Sequence, residues 1–188
     1  MRNKLYMVIP CYNEQEVLPE TSKRLKEKLS TLVKAGKIDP ESRIIFVNDG
    51  SKDRTWEIIR RLHEEDPVFG GVNLSRNRGH QNALLAGLMT VKDHADMAIS
   101  MDADLQDDIN AIDEMVEKYL NGTDIVYGVR SSRAKDTFFK KATAESFYKL
   151  MNTMGVNTVF NHADYRLMSK RALEGLAEFR EVNLFLRG

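Results

Sequence analysis

Asp102, Asp104 and Gln106 are the residues whose types and spacing best suit chemistry in this sequence. If the chain is extended there, carboxylates two positions apart project to the same side and could bind one cation. Oxygen ligands of this kind favour Mg²⁺ or Mn²⁺, which keep coordination positions for water and substrate phosphates. By itself the segment fits equally well a strand-to-helix loop, in which Asp108 caps a helix at Ile109 and the other acids are solvated.

Three familiar ligand-binding motifs have no support in the sequence. An EF-hand loop counted from Asp102 needs glycine at its sixth position and glutamate at its twelfth, where the chain has Asp107 and Asp113. Neither a GxGxxG nor a Walker A pattern is present. A dinucleotide fingerprint and a P-loop are therefore not expected.

A second set of polar residues could bind a nucleotide. A carboxylate at Asp49, which follows an apolar run, could accept a hydrogen bond from the imide or amino group of a base. The sequence Asn48-Asp49-Gly50 is an equally good turn, so both interpretations stay open. Tyr12 could stack on a base and Glu14 could reach the ribose or base, or Tyr12 could cover the core and Glu14 begin a helix.

Arg130 and Arg133 follow the last of the β-rich runs. Paired guanidinium groups suit phosphate oxygens, and a position beside the acidic cluster would favour that role over ordinary surface arginines. The four histidines lack the spacing of metal ligands, and we expect structural roles for all of them: His63, His80, His94 and His162.

The elements that must position these residues alternate along the chain. We predict strands buried on both faces at Leu5–Ile9, Ile44–Val47, Gly71–Leu74, Met97–Met101 and Ile125–Tyr127. Apolar residues recur at helical spacing between them. After Gly128 we predict a helix from Lys140 to Met154, a loop or short strand through Asp164 to Met168, and a helix from about Lys170 to Phe179.

This order predicts one α/β domain over residues 1–188, with a Rossmann-like, mostly parallel sheet and helices on both faces. Ligands of such sheets bind beyond the carboxyl ends of the strands. Five polar loops should meet at that edge: Pro10–Glu14, Asn48–Ser51, Ser75–His80, Asp102–Asp108 and Gly128–Arg133.

Composition limits the class of protein. With 188 residues and 42% hydrophobic content, the chain can bury one core. Basic and acidic residues number 28 each, so net charge gives no reason to expect nucleic-acid binding. A single cysteine, Cys11, excludes a disulfide framework and favours a reducing, cytoplasmic setting. No secretory signal or run of about 18 apolar residues is present, so no membrane span is expected.

Seven ordered segments resemble the family 2 glycosyltransferases of the GT-A fold. They cover nearly the whole chain: VIPCYNE, VNDGSKDRT, LSRNRGHQNALLAG, SMDADLQDD, YGVRSSR, ADYRLMSKRAL and FLRG. They are most similar to the branch containing dolichol-phosphate mannose synthases and undecaprenyl-phosphate glucosyltransferases. Seven segments in the right order are far more specific than the pair Asp102 and Asp104.

The resemblance implies roles for particular residues. Those expected to bind the nucleotide are Pro10, Tyr12, Glu14 and Asp49. Those expected to hold the metal and the diphosphate are Asp102, Ala103, Asp104 and Gln106. The expected phosphate ligands are Arg130 and Arg133, with Arg187 near the donor or lipid phosphate. Asp164 and Arg166 are expected to face the acceptor.

The implied activity is inverting, Mg²⁺- or Mn²⁺-dependent transfer of a hexose, with glucose from UDP-glucose as the leading donor, to a polyprenyl phosphate. Transfer to a saccharide hydroxyl in polysaccharide synthesis and a non-catalytic nucleotide-sugar-binding module are the alternatives. Members of this branch continue past FLRG into membrane-associated helices. We therefore expect the full-length protein to act at the inner face of the plasma membrane, through a segment outside this chain. The sequence leaves the oligomeric state open.

Asp164 is the candidate general base, but the need for a base depends on the acceptor. A phosphate monoester has a second pKa near about 6, so it is largely ionised at neutral pH. A sugar hydroxyl must instead lose its proton during attack, where a positioned base contributes about 10²–10⁴-fold. A phosphate acceptor would therefore tolerate the loss of Asp164 better than a hydroxyl acceptor.

Overall fold

Residues 2–129 and 162–179 are described in the computed structural model of the chain, and strands alternate with helices along them. The strands are β1 (Leu5–Cys11), β2 (Arg43–Asn48), β3 (Phe69–Asn73), β4 (Met97–Ser100), β5 (Ile125–Val129) and β6 (His162–Ser169). The helices are α1 (Leu18–Lys34), α2 (Thr55–Glu65), α3 (His80–Val91), α4 (Ala111–Leu120) and α5 (Lys170–Glu178). The predicted helix from Lys140 to Met154 lies outside the described residues.

The six strands form one sheet in the order β3-β2-β1-β4-β6-β5. Strands β1 to β4 pair in parallel, whereas β6 is antiparallel to both of its neighbours, β4 and β5. The predicted mostly parallel α/β sheet is confirmed. The loop or short strand predicted from Asp164 to Met168 is a full strand inserted between β4 and β5.

Two hydrophobic clusters cover the two faces of the sheet, as predicted. Alternate residues of β1 point to opposite faces because side chains alternate along a strand. Met7 and Ile9 pack in the cluster that includes residues of α1, α2 and α4, whereas Val8 packs with residues of α3 and α5. The first turn of α3 is thereby brought to the edge of the sheet where β1 ends.

The prediction that every strand is buried on both faces is wrong for the outer strands. The central strands β1, β2 and β4 are almost wholly buried. In β3, Gly71 and Asn73 are exposed, and in β5 Ile125 and Tyr127 are 42% and 37% exposed. An edge strand has a neighbour on one side only, so its side chains are covered less completely.

Helix boundaries differ from the predicted ones by a residue or two. Asp108 accepts the backbone N–H of Asn110 at 2.9 Å, and α4 begins at Ala111 rather than at Ile109. The predicted helix from Lys170 begins as expected, since Ser169 caps it by accepting the N–H of Ala172. Across the described ranges, no helix combines the length and apolar content that a membrane crossing requires.

Candidate functional site

Four of the five polar loops predicted to meet at one edge of the sheet enclose a cavity of about 380 Å³. Because β6 runs antiparallel, its beginning lies at this same edge, and Asp164 joins the loops there. The residues lining the cavity are Pro10, Cys11, Tyr12, Glu14, Asp49, Asn77, Gly79, His80, Ala83, Asp102, Ala103, Asp104 and Asp164. Arg130 and Arg133 of the fifth loop lie outside the described residues, as does Arg187.

The loops that follow β1 and β2 are joined by hydrogen bonds. Asn13 donates its N–H to Ser51 Oγ at 3.0 Å, and its Oδ1 accepts the N–H of Lys52 at 2.9 Å. Glu14 donates its N–H to Thr55 Oγ1 at 2.8 Å. Asn13 has a φ of 58°, a left-handed conformation that asparagine tolerates better than most residues. These contacts fix the wall of the cavity that carries Tyr12 and Glu14.

Tyr12 and Glu14 are available to a ligand at this wall. Tyr12 is 42% exposed and lines the cavity, so it does not serve as a core residue. Burial raises the pKa of Glu14, and the nearby charges of Asp104, Asp53 and Asp102 raise it further. The wall therefore combines an exposed ring with a carboxyl group that is easier to protonate than usual.

Asp49 ties two loops together beneath the cavity. It is 3% exposed, and its carboxylate accepts the N–H groups of Arg78 at 2.6 Å and Gly79 at 2.9 Å. Next to it Gly50 has a φ of 64°, and a Cβ there would lie 2.5 Å from backbone atoms of Arg76 and Asn77. The turn interpretation of this segment is thus correct. Each carboxylate oxygen retains a second lone pair, so a contact between Asp49 and a base stays a prediction.

The acidic loop after β4 is held at both ends by buried hydroxyl groups. Thr21 of α1 donates to the carbonyl oxygen of Ala103 at 2.6 Å. Tyr165 of β6 donates to the carbonyl oxygen of Asp108 at 2.9 Å. Between them Leu105 has a φ of 58°, unfavourable for a residue with a side chain. Strain of this kind is typical of functional loops and persists only where the surroundings enforce it.

The acidic loop suits a divalent cation shared with a phosphorylated ligand. Burial raises the pKa of Asp102, and the charges of Asp107, Asp164 and Asp104 raise it further against the opposing effect of His80. A cation would relieve this concentration of negative charge. Within residues 2–129 and 162–179, no three His, Cys, Asp or Glu side chains converge as a metal site. The oxygen donors of this loop are of the kind that Mg²⁺ and Mn²⁺ take together with water and phosphate oxygens.

Gln106 and Asp104 are both exposed on this loop. The N–H of Gln106 donates to Asp104 Oδ1 at 3.1 Å, a short-range contact that orients the carboxylate. Asp102, which is less exposed, is the deeper of the two aspartates. The assignment of Asp102, Asp104 and Gln106 as metal ligands stays a prediction that this geometry permits.

Within the described part of the chain, three donor groups surround the carboxylate of Asp164, which is 3% exposed. His80 Nε2 lies 3.1 Å from Oδ2, and Gln81 Nε2 lies 3.4 Å from each oxygen. Arg166 Nη2 lies 3.5 Å from Oδ1. The backbone carbonyl of Asp164 accepts the hydroxyl of Ser100. Both the main chain and the charged side chain are thus held in place.

His80 corrects the expectation that the histidines have structural roles only. It lines the cavity, and its Nε2 lies 3.6 Å from Asp102 Oδ1 as well as 3.1 Å from Asp164 Oδ2. Because both neighbours are carboxylates, Nε2 must carry a proton for these contacts to be favourable. By contrast, His63 Nδ1 lies 2.6 Å from the carbonyl oxygen of Phe69, a structural contact as predicted.

Arg166 does not line the cavity. It is 6% exposed and lies beside Asp164 on β6, where its charge offsets that of the carboxylate. Pro10 and Ala103 line the cavity as largely buried residues, which is consistent with shaping the site through the backbone.

Sequence reasoning missed several residues that support the site. Gln81, Thr21 and Tyr165 gave no signal because their partners are distant in the chain. The position of Gln81 directly after His80, at the start of a helix that follows a polar loop, is the one local feature that could have drawn attention to it.

The sequence is similar to known glycosyltransferases over nearly all of its length. The sequence model of Glycosyl transferase family 2 matches residues 6–176. "Uncharacterized glycosyltransferase YkoT" of Bacillus subtilis (strain 168) is 52% identical over 184 residues, which are 98% of this chain and 55% of the relative. "Bactoprenol glucosyl transferase" of Shigella phage SfV is 40% identical over 189 residues, 98% of this chain and 58% of the relative. The chain thus spans a little more than half the length of these curated relatives.

Solved structures share the fold at lower sequence identity. Glucosyl-3-phosphoglycerate synthase from Mycobacterium tuberculosis, in complex with Mn²⁺, UDP and phosphoglyceric acid, has a TM-score of 0.59 and 19% identity, covering 90% of this chain and 56% of that one. Mannosyltransferase PcManGT from Pyrobaculum calidifontis, in complex with GDP-Man and Mn²⁺, has a TM-score of 0.55 and 21% identity, covering 95% and 48%. These neighbours confirm the GT-A fold. Since the family match covers most of the chain and the ordered segments agree with it, the chain belongs to glycosyltransferase family 2.

Proposed function

We propose that this chain is the catalytic domain of an inverting glycosyltransferase that moves glucose from UDP-glucose to a polyprenyl phosphate. The observation that carries the proposal is the cavity, in which the acidic loop, the wall with Tyr12 and Glu14, and the clamped carboxylate of Asp164 meet. In a nucleotide sugar the base, the diphosphate and the anomeric carbon follow one another along the molecule. A site that binds it therefore needs these three features side by side.

The donor would enter with its base against Tyr12, Glu14 and Asp49, and its diphosphate toward Asp102 and Asp104. Two neighbours of the same fold were solved with UDP or GDP-Man and Mn²⁺, which supports a nucleotide donor and a divalent cation. Glucose is proposed from the bactoprenol glucosyl transferases, which are about 40% identical to this chain, and UDP from the neighbour solved with UDP and Mn²⁺. Arg130, Arg133 and Arg187 are proposed to bind phosphate oxygens.

Asp102, Asp104 and Gln106 would hold Mg²⁺ or Mn²⁺. When bound, the cation would neutralise the charge of the departing diphosphate. The chain itself supplies the shape of the loop, since Thr21 and Tyr165 fix its two ends. The loop can thus keep both carboxylates directed at the donor before any ligand arrives.

The acceptor would approach from the side of Asp164. Among the described residues, His80, Gln81 and Arg166 each place a donor nitrogen within 3.5 Å of the Asp164 carboxylate. We propose that these contacts hold Asp164 and Arg166 to orient an acceptor that is already ionised, such as a phosphate.

The reaction would take place at the inner face of the plasma membrane, where a polyprenyl phosphate is reached from the cytoplasm. We propose that membrane contact is made by a segment outside residues 1–188. The relatives extend well beyond the matched region, which leaves room for such a segment.

The decisive experiment is calorimetric titration of the full-length protein with UDP-glucose, UDP-N-acetylglucosamine and GDP-mannose, with and without Mn²⁺. We expect UDP-glucose to bind most tightly, and only with the metal. Asp104→Ala should greatly weaken the binding of UDP-glucose in the presence of Mn²⁺. Binding that ignores Mn²⁺, or that survives Asp104→Ala undiminished, would refute the metal site.

Transfer is then measured with undecaprenyl phosphate and with a saccharide as competing acceptors. Formation of a glucosyl phospholipid supports the proposal, whereas sugar found only on a saccharide hydroxyl overturns the acceptor. Donor binding without transfer or hydrolysis by the full-length protein would mean that the domain only binds nucleotide sugars.

A further inference from the structure

Gln81 contacts the carboxylate of Asp164, and no step of the proposed reaction gives it a role. It lies in the first turn of α3, and its side-chain Nε2 is 3.4 Å from both carboxylate oxygens of Asp164. The two residues are 83 positions apart in the chain, and they meet because α3 packs on β1 and β2 while β6 pairs with β4. The single amide nitrogen of Gln81 thus lies equally close to the two carboxylate oxygens.

The carbonyl oxygen of the same amide has no hydrogen-bond partner among the described residues. Gln81 Oε1 is buried and makes no hydrogen bond within the described structure. Rotating the amide would bring Oε1 against the carboxylate of Asp164, so the observed orientation is the favourable one. A buried carbonyl without a partner reduces stability, and a leucine of similar size would avoid that loss. The benefit of a glutamine here must therefore lie in its contact with Asp164.

The contact with Gln81 adds to those that orient this carboxylate. Rotation about the last side-chain bond of an aspartate has a broad, shallow energy profile, so the rotamer alone does not fix the oxygens. Ser100 holds the backbone carbonyl of Asp164, not its side chain. His80 and Arg166 each approach a single oxygen, at 3.1 and 3.5 Å, whereas Gln81 approaches both.

We propose that Gln81 is a positioning residue that sets the orientation of the Asp164 carboxylate at the acceptor side of the cavity. The inference rests on the proposed function, because it assumes that Asp164 faces the acceptor during transfer. Gln81 itself is not among the residues that line the cavity. We therefore expect a substitution of Gln81 to change the turnover of bound substrates and not the affinity for the donor.

The test compares Gln81→Leu and Gln81→Glu with Asn82→Leu and Asn82→Asp in the full-length protein. Asn82 is the next residue of α3, is exposed and does not line the cavity. Gln81→Leu should lower kcat about tenfold, while the Kd for UDP-glucose with Mn²⁺ changes less than about twofold. Gln81→Glu, which sets two carboxylates against each other, should lower kcat more. Both Asn82 variants should keep kcat within about twofold of the wild type.

Stability separates positioning from a structural role. Gln81→Leu removes both the buried carbonyl and one hydrogen bond to a charge, and these two effects oppose each other. Its urea midpoint should stay close to that of the wild type. A large fall in the midpoint that accounts for the lost turnover would overturn the proposal in favour of simple packing.

A double-mutant cycle with Asp164→Ala then tests whether Gln81 acts through Asp164. The tenfold effect of Gln81→Leu should disappear when Asp164 is already alanine. If the effect persists in full, Gln81 acts by another route and the proposal fails.

One measurement keeps this inference distinct from the proposed function. The ¹H–¹⁵N signals of the Gln81 side-chain amide should shift in Asp164→Ala and stay unchanged in Asn82→Leu. Unmoved signals in Asp164→Ala would overturn the contact itself, whatever the substrates are. Shifted signals in a protein that transfers no glucose to lipid phosphate would support the contact and refute only the proposed reaction.

Discussion

Gly50→Ala should damage both the stability of the chain and its binding of the donor. Gly50 has a φ of 64°, and a Cβ at this position would lie 2.5 Å from the carbonyl carbon of Arg76 and from the nitrogen of Asn77. Both are backbone atoms, so no side chain can rotate away. The segment that follows β3 would have to move, although Asp49 holds it by the N–H groups of Arg78 and Gly79.

The expected loss of stability has two parts. An alanine in the left-handed region costs about 1–2 kcal/mol. Atoms that are not bonded to each other normally stay about 3.5–4.0 Å apart, so the segment must shift by about 1 Å. Losing one of the two hydrogen bonds to the Asp49 carboxylate costs about 1.5–3 kcal/mol. We therefore expect Gly50→Ala to lower the free energy of unfolding by about 3–5 kcal/mol.

Gly122→Ala is the matched control. Gly122 has a φ of 94°, but a Cβ there would meet nothing within 4 Å. The control therefore carries the backbone strain without the clash and should cost about 1–2 kcal/mol. Both variants are measured by urea unfolding and by titration with UDP and Mn²⁺. UDP should bind Gly50→Ala at least about tenfold more weakly, because Asn77 and Gly79 line the cavity.

Equal losses of stability in Gly50→Ala and Gly122→Ala would refute this reasoning. Such a result would mean that the strain of a positive φ, and not the close approach of the two loops, accounts for the glycine. Unchanged UDP affinity in Gly50→Ala would separately refute the link between this turn and the cavity.

Three further predictions concern other parts of the site. Asp164→Asn in the full-length protein should lower transfer to a polyprenyl phosphate by no more than about tenfold, whereas loss of a required base would cost about 10²–10⁴-fold. Total loss of turnover with unchanged donor binding would contradict a phosphate acceptor. Thr21→Val, which leaves the Ala103 carbonyl buried without its donor, should lower the free energy of unfolding by about 1–3 kcal/mol. Thr31→Val, which removes an exposed hydroxyl from the same helix, should have almost no effect on urea unfolding. Burial raises the pKa of the Cys11 thiol, and only the thiolate reacts with alkylating reagents. Iodoacetamide at pH 8.5 should therefore modify Cys11 slowly until denaturant unfolds the chain. Rapid alkylation of the folded protein would contradict the burial of Cys11.

Most of the fold could be predicted because its signals are local. The apolar runs of β1, β2 and β4 and the helical spacing in α1 and α4 depend on residues close together in the chain. The alternation of strands and helices then favours a parallel sheet, and with it a site at the carboxyl edge. Tyr12, Glu14, Asp49, Asp102 and Asp104 were assigned to one cavity by this reasoning, and they line it.

The position of β6 could not be predicted in the same way. Its sequence, HADYRLMS, mixes charged and apolar residues and has no clear strand pattern. Its antiparallel place between β4 and β5 comes from long-range pairing, for example of Ile99 with Leu167. Only this insertion brings Asp164 to the same edge as Asp102.

The sequence by itself determined the fold class, the family and the loops from which a site must be built, because strand and helix periods and motif segments are written in neighbouring residues. Tertiary structure alone decided how the acceptor side is organised. His80 and Gln81 reach Asp164 because α3 packs on β1 and β2 while β6 is inserted beside β4, and a hydrogen-bond donor 83 positions away in the chain leaves no trace in local sequence patterns.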